Sequence, residues 1–234
     1  MFNWHDKQMT LQSYQGMMGA TPLGEFETSS AGLGDTQLGL LYGVNNIGPL
    51  DTHLNFSISL PTGSLKEDDV VLTPMNPTPP RRLPYGMQLG SGTVDLKPGI
   101  TTRYSDGDWA FGGQLMATLR LGTNGEGYRL GNQLNLEAWA QYRLHESTSI
   151  SLGLNRRQQK AIQGTDSAIA LPVITADPAN YGGQLALAKI GVNWVGQEGA
   201  LRGPRLALEW MTPVHEKANG IQMAMDDMLV VGYQ

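Results

Sequence analysis

The chain has 234 residues, enough for one large β domain or two small ones, and 30 Gly with only 16% charged residues favour strands and turns over long solvated helices. With 0 Cys there is no disulfide framework, thiolate metal site or cysteine nucleophile. A net charge of −5 without a block of like charges argues against a nucleic-acid partner, and no stretch approaches the roughly 20 apolar residues of a transmembrane helix.

Residues 1–12 form a weak strand candidate, with no basic region and apolar core that would mark a signal peptide. Residues 14–34 read as a long loop, and 36–44 ("TQLGLLYGV") as another weak strand. Alternation becomes strict at "DTHLNFSISLPTG" (51–63), where Leu54, Phe56, Ile58 and Leu60 share one face and Asn55, Ser57 and Ser59 the other. The same phase holds in "TVDLKPGITTRYS" (93–105), with Val94, Leu96, Ile100 and Tyr104 opposed by Asp95, Lys97, Thr101 and Arg103. It continues in "WAFGGQLMATLRL" (109–121), where Phe111, Leu115 and Leu119 oppose Gln114, Met116 and Arg120. In "NQLNLEAWAQYRL" (132–144), Leu134, Leu136 and Ala138 oppose Glu137, Trp139, Gln141 and Arg143. Weaker candidates follow at 148–156, 184–196, 204–214 and 223–234, and the phase change near Lys189 points to a bulge or a different register.

About ten strands of about 9 to 11 residues suit a tilted membrane strand, and a helical period fits none of the clear ones. An apolar face of this kind meets either a soluble core or lipid, and the connections decide between them. They alternate nearly perfectly between long or medium-long (14–34, 61–92, "GTNGEGYRLG", 158–182) and short ("NNIGP", "DGD", "HES"), ending on the medium "QEGALRG" and "HEKANGIQ", as the outer loops and periplasmic turns of an outer-membrane barrel do. A sandwich has no reason to sort its loops by parity. The sequence therefore predicts an all-β fold, an antiparallel up-and-down transmembrane β-barrel forming one domain over 1–234, with Leu54, Phe56, Leu96, Leu119 and Leu136 outward and Ser57, Thr101, Gln114 and Gln141 inward.

The stretches "LNFSISLPTGSLKEDDVVLTPM", "RLPYGMQLGSGTVDLKPGIT", "LRLGTNGEGYRLG", "TADPANYGG" and "GALRGPRLALEWMTPV" resemble an outer-membrane transporter family associated with the meta-pathway of phenol degradation. The resemblance covers essentially the whole chain. It implies a barrel of about twelve strands, of which this chain supplies the last ten. It also implies that a signal peptide, a Met- and His-rich segment and about two strands precede the position matching Met1. On that basis the ten-strand sheet is expected to form an open barrel, with the segment around Phe2 and Trp4 short of hydrogen-bond partners rather than laddered to 224–233. The function implied is passive uptake of small, aromatic or hydrophobic molecules across the cell outer membrane, without cofactor, covalent chemistry or enzyme activity. A structural or adhesive barrel with a closed lumen and an outer-membrane hydrolase are the alternatives.

Short turns fix register. Pairing across "DGD" sets Asp95 opposite Arg120, and pairing across "HES" sets Trp139 opposite Gly153. Asp95, Lys97, Arg103, Gln114, Arg120, Glu137, Gln141, Arg143 and Glu209 become candidate lumen-lining residues that set solute preference, against the plainer reading of a network that fills a narrow barrel. The loop 61–92 is too long for a connector, and its prolines argue for an ordered plug or lid. Within it, Glu67, Asp68 and Asp69 offer hard oxygens for Ca²⁺, and Arg81 and Arg82 offer guanidinium groups to lipopolysaccharide phosphates or an anionic solute. The plainer reading leaves all five solvated on a surface loop. The four histidines have no ligand spacing, no metal is called for, and "GxSxG" is absent.

Overall fold

The computed structural model describes residues 3–15, 21–47, 49–72, 80–169, 174–197 and 203–233. Fifteen strands follow in chain order: β1 (Trp4–Gln15), β2 (Thr21–Leu33), β3 (Thr36–Ile47), β4 (Leu50–Leu60), β5 (Asp68–Val70), β6 (Pro80–Arg82), β7 (Val94–Asp106) and β8 (Trp109–Leu121). They continue as β9 (Tyr128–Arg129), β10 (Gln133–His145), β11 (Thr148–Gln159), β12 (Gln163–Gly164), β13 (Gly183–Val195), β14 (Arg205–Ala218) and β15 (Met228–Tyr233). Nine of them form one antiparallel sheet in the order β15-β14-β13-β11-β10-β8-β7-β4-β3. Short two-stranded sheets β5-β6 and β9-β12 occur within the long loops.

The sheet follows the period of two. Leu54, Phe56, Ile100, Leu115, Leu119 and Leu136 stand exposed on one face, while Ser57, Gln114 and Gln141 are half-buried and Thr101 is buried on the other. Ile58 and Leu96 face each other across β4 and β7 on the apolar side and are half-buried. Leu152 remains 62% exposed on that face, which no water-facing core strand would tolerate in a continuous band. At the end carrying the short turns the band finishes in aromatic residues, where Trp109 packs against Phe111 and Tyr142 at ring distances of 5.7 and 4.8 Å. Such a girdle marks a membrane interface.

Register follows from the turns. Gly107, with φ +57, closes β7 and β8, and the ladder sets Asp95 against Arg120; across the next turn Trp139 faces Gly153. The phase change at Lys189 has a different origin from a bulge in β13. The β11–β13 ladder is continuous, and the register shift falls in the β13–β14 pairing, where Val214 is the extra residue of β14. Leu185 and Leu187 then face inward with Met211, Met225 and Met228, so an apolar cluster interrupts the polar face.

Two expectations are corrected by the N-terminal hairpin. Residues 14–34 are not a loop, because Thr21–Leu33 pairs with Trp4–Gln15 along its length. Nor is 1–12 a wall strand. This hairpin is a separate sheet, and its outer face carries the exposed Asp6, Gln8, Gln12, Glu25 and Glu27 between Trp4, Tyr14 and Leu33, charges that do not meet lipid. The inner face instead packs on the described end of the long loop: the Ser30 hydroxyl donates to the Met87 carbonyl at 2.6 Å and the Lys7 ammonium to the Gln88 carbonyl at 2.5 Å. The wall sheet therefore has nine strands rather than ten. Among the described residues no ladder joins β15 to β1 or to β3, so the barrel is not closed, as expected. Leu40, 74% exposed, lies on the free β3 edge. Phe2 lies outside the described residues, while Trp4 is laddered to Leu33 of β2 rather than left short of a partner.

Candidate functional site

Polar side chains from seven strands line up halfway along the concave face. Lys189 of β13 reaches across β11 to Glu137 of β10 at 2.9 Å and lies 3.4 Å from Glu209 of β14. Asn155 of β11 donates to the other Glu137 oxygen at 3.4 Å. Gln114 of β8 donates to the Thr101 hydroxyl at 2.8 Å, as Asn55 of β4 does. The result is a belt of hydrogen-bonded groups across the wall.

Glycines make room for its largest members. Gly112 and Gly153 flank Trp139 on the two neighbouring strands. A side chain at Gly112 would collide with the Trp139 ring, which lies across that glycine, and one at Gly153 would touch the aliphatic stem of Lys189 at 3.5 Å. Trp139 and Lys189 thus lie flat along the wall and leave a recess of about 300 Å³ lined by Gln114, Glu137, Trp139, Gln141, Lys189 and Glu209. A second recess of about 350 Å³ lies towards the short turns and includes Arg103, Asp108 and Arg143. Gln141 and Asn193 border both, so the two recesses adjoin on the polar face. Arg143 is held by Asp108 at 2.8 Å.

At the opposite rim Asp95 is fully buried, accepts from the Thr93 hydroxyl at 2.7 Å and pairs with Arg120, with Lys97 on the same face. Above it the long loops pack together. Tyr85, Tyr128, Ile162, Ile169 and Ala176 form a small core with Leu65, Leu130 and Tyr181 beside it. Arg82 ties this cap together through Asp68 (3.0 Å), Asp166 (3.1 Å) and Glu126 (3.4 Å). Burial alone would lower its pKa, but hydrogen bonding to Asp68 and the charge of Asp166 raise it above the ordinary arginine value. Burial pushes the phenols of Tyr128 and Tyr181 up to about 12 each. Hydrogen bonding to Lys66, at 3.2 Å, holds the Glu126 carboxyl below its ordinary range.

The candidate residues thus divide into three groups. Gln114, Glu137, Gln141 and Glu209 meet in the central recess; Arg103 and Arg143 line the recess near the turns; Asp95, Lys97 and Arg120 lie under the cap. The loop charges are not merely solvated. Arg82 is engaged inside the cap, its side chain only 12% exposed, which leaves it poorly placed for an outside phosphate. Asp68 pairs with Arg82, and Asp69 accepts from the N–H groups of Ser29 and Val70. Arg81 faces Asp69 across β5 and β6, and Glu67 is half-buried with its N–H on Gln88. Among the described residues no three acidic or histidine side chains converge as a metal site would require. Lys189, absent from the sequence-based candidates, is the centre of the belt.

A family model described as "Putative MetA-pathway of phenol degradation" matches residues 6–186. The chain belongs to this family. The match to the family takes in Glu137 and Trp139 and ends just before Lys189. Among solved structures, the crystal structure of an outer membrane channel from Pseudomonas putida F1 superposes with a TM-score of 0.61 over 99% of this chain and 75% of that one, at 14% identity. It shares the fold, an outer-membrane β-barrel. No curated protein sequence matches.

Proposed function

We propose that the protein is a passive channel of the bacterial outer membrane, through which small molecules diffuse along the concave polar face. The supporting observation is the pair of adjoining polar recesses that share Gln141 and Asn193, one at the ion-paired belt of Lys189 and the other towards the turn end of the wall. The family suggests small aromatic or hydrophobic solutes. Lipid and lipopolysaccharide would surround the apolar band. Movement down a gradient needs only a wet path and weak sites, so no covalent step, cofactor or metal enters this reading. The cap built from Leu65, Arg82, Tyr85, Tyr128, Ile162 and Tyr181 supplies the gate.

The cap favours a second reading. Tyr128 at 0% exposure and Leu83 at 0% belong to a real core rather than to loose loops, as expected of a structural or adhesive barrel with a shut lumen. Planar-bilayer recording of the purified protein separates the two. A channel gives discrete conductance steps that enlarge when the cap is loosened; a shut barrel gives none.

A further inference from the structure

We propose that the central recess is a recognition site for small organic cations with a planar apolar body. The proposal deepens the channel reading by naming the solute class, and three features of the recess carry it.

The first is charge. Two carboxylates, Glu137 and Glu209, share one ammonium, so the cluster retains one net negative charge. Glu137 is engaged on both oxygens, by Lys189 and Asn155. Among the described residues Glu209 has only the 3.4 Å approach of Lys189, and it is the more exposed carboxylate, at 34% against 28%. It is the acceptor left for an incoming cation.

The second is the aromatic surface. Trp139 lies with its ring across Gly112, so one face is closed by the wall and the remaining surface borders the recess. A tryptophan face beside a carboxylate stacks a flat ring whose cationic substituent the carboxylate holds. The third is size and neutrality. About 300 Å³ admits a single-ring molecule, and Gln114 and Gln141 complete the lining with groups that carry no charge. Elsewhere on the face Arg120 and Arg143 are already neutralised by Asp95 and Asp108, so they neither hold an anion nor strongly repel a cation. Arg103 and Lys97 lie outside this recess.

The test is calorimetric titration of the protein in detergent micelles, blank-subtracted, with benzylammonium, methylammonium and benzoate. Benzylammonium should bind at least about ten-fold more tightly than either of the others, because only it uses both the carboxylate and the ring. Trp139→Leu should weaken benzylammonium about ten-fold and leave methylammonium unchanged, Trp139→Phe should restore most of the loss, and Glu209→Gln should weaken both cations. Heat-modifiable migration on gels reports that each variant is folded. Benzoate binding as tightly as benzylammonium, or folded Trp139→Leu and Glu209→Gln variants with unchanged affinities, would overturn the proposal. Binding is read without current, so a protein that shows this pattern but no conductance steps would uphold the site and sink the channel reading alone.

Discussion

Replacing Leu115 by Arg tests which face meets lipid. Leu115 is exposed on the apolar face, between Ile100 of β7 and Leu136 of β10, and lies on β8 with Trp109 of the aromatic girdle. The step from Trp109 to Leu115 spans about 20 Å at roughly 3.3 Å per residue, or about 15 Å along the membrane normal for a tilt of about 40°. That is near the middle of an apolar band about 25 Å tall, where a guanidinium costs about 2 to 4 kcal/mol. The same substitution at Gln141, which borders both polar recesses, loses the 2.6 Å hydrogen bond to Ser149 and costs about 1 kcal/mol. Denaturant titrations of folding into lipid vesicles compare the two variants directly. Equal costs, or a greater cost at Gln141, would refute the assignment of faces.

Asp95→Asn leaves the Arg120 guanidinium without its buried partner and should cost about 3 to 5 kcal/mol in the same assay, while Asp95→Asn combined with Arg120→Met should recover most of it. Arg82→Met removes the tie between Asp68, Glu126 and the almost fully buried Asp166, so limited proteolysis should cut the long loops faster while the wall stays protected; unchanged cleavage would show the cap does not depend on it. Tyr128 and Tyr181 keep their protons to about pH 12, whereas an unfolded tyrosine loses its proton near pH 10, so their contribution to cap stability is complete below about pH 10 and is lost as pH rises through 12. Tyrosinate absorbance should show these two of the 8 tyrosines ionising last, together with faster loop proteolysis; ionisation of all at a common pH would contradict the packed cap.

The wall was legible because lipid on one side and water on the other impose a period of two on every strand that crosses, and two-residue turns convert that period into register. Asp95 against Arg120 and Trp139 against Gly153 came from counting outward from a turn. The β1–β2 hairpin escaped because it meets no lipid. In "TPLGEFETSSAGL" Leu23 and Phe26 fall on opposite faces, and the buried positions are Thr28 and Ser30, so no apolar alternation exists to read. The cap escaped for a different reason: Arg82 and Asp166 are 84 residues apart, and no local pattern announces a partner at that range. The prolines signalled order in loop 61–92 without showing what it packs on. Lys189 was obscured by Leu185 and Leu187, whose apolar side chains face inward in the same strand and break the alternation that would have placed it with Glu137.

In the proposed channel the face carrying Gln141 borders the conducting path and the face carrying Leu115 borders lipid. With 0 Cys in the chain, one introduced thiol is the only thiol, so Gln141→Cys and Leu115→Cys can each be recorded in planar bilayers while a charged, membrane-impermeant thiol reagent is added. The reagent should lower the unitary current of Gln141→Cys and leave Leu115→Cys unaltered. Modification of Leu115→Cys with loss of current, or an unaltered current in fully labelled Gln141→Cys, would contradict this assignment of the two faces.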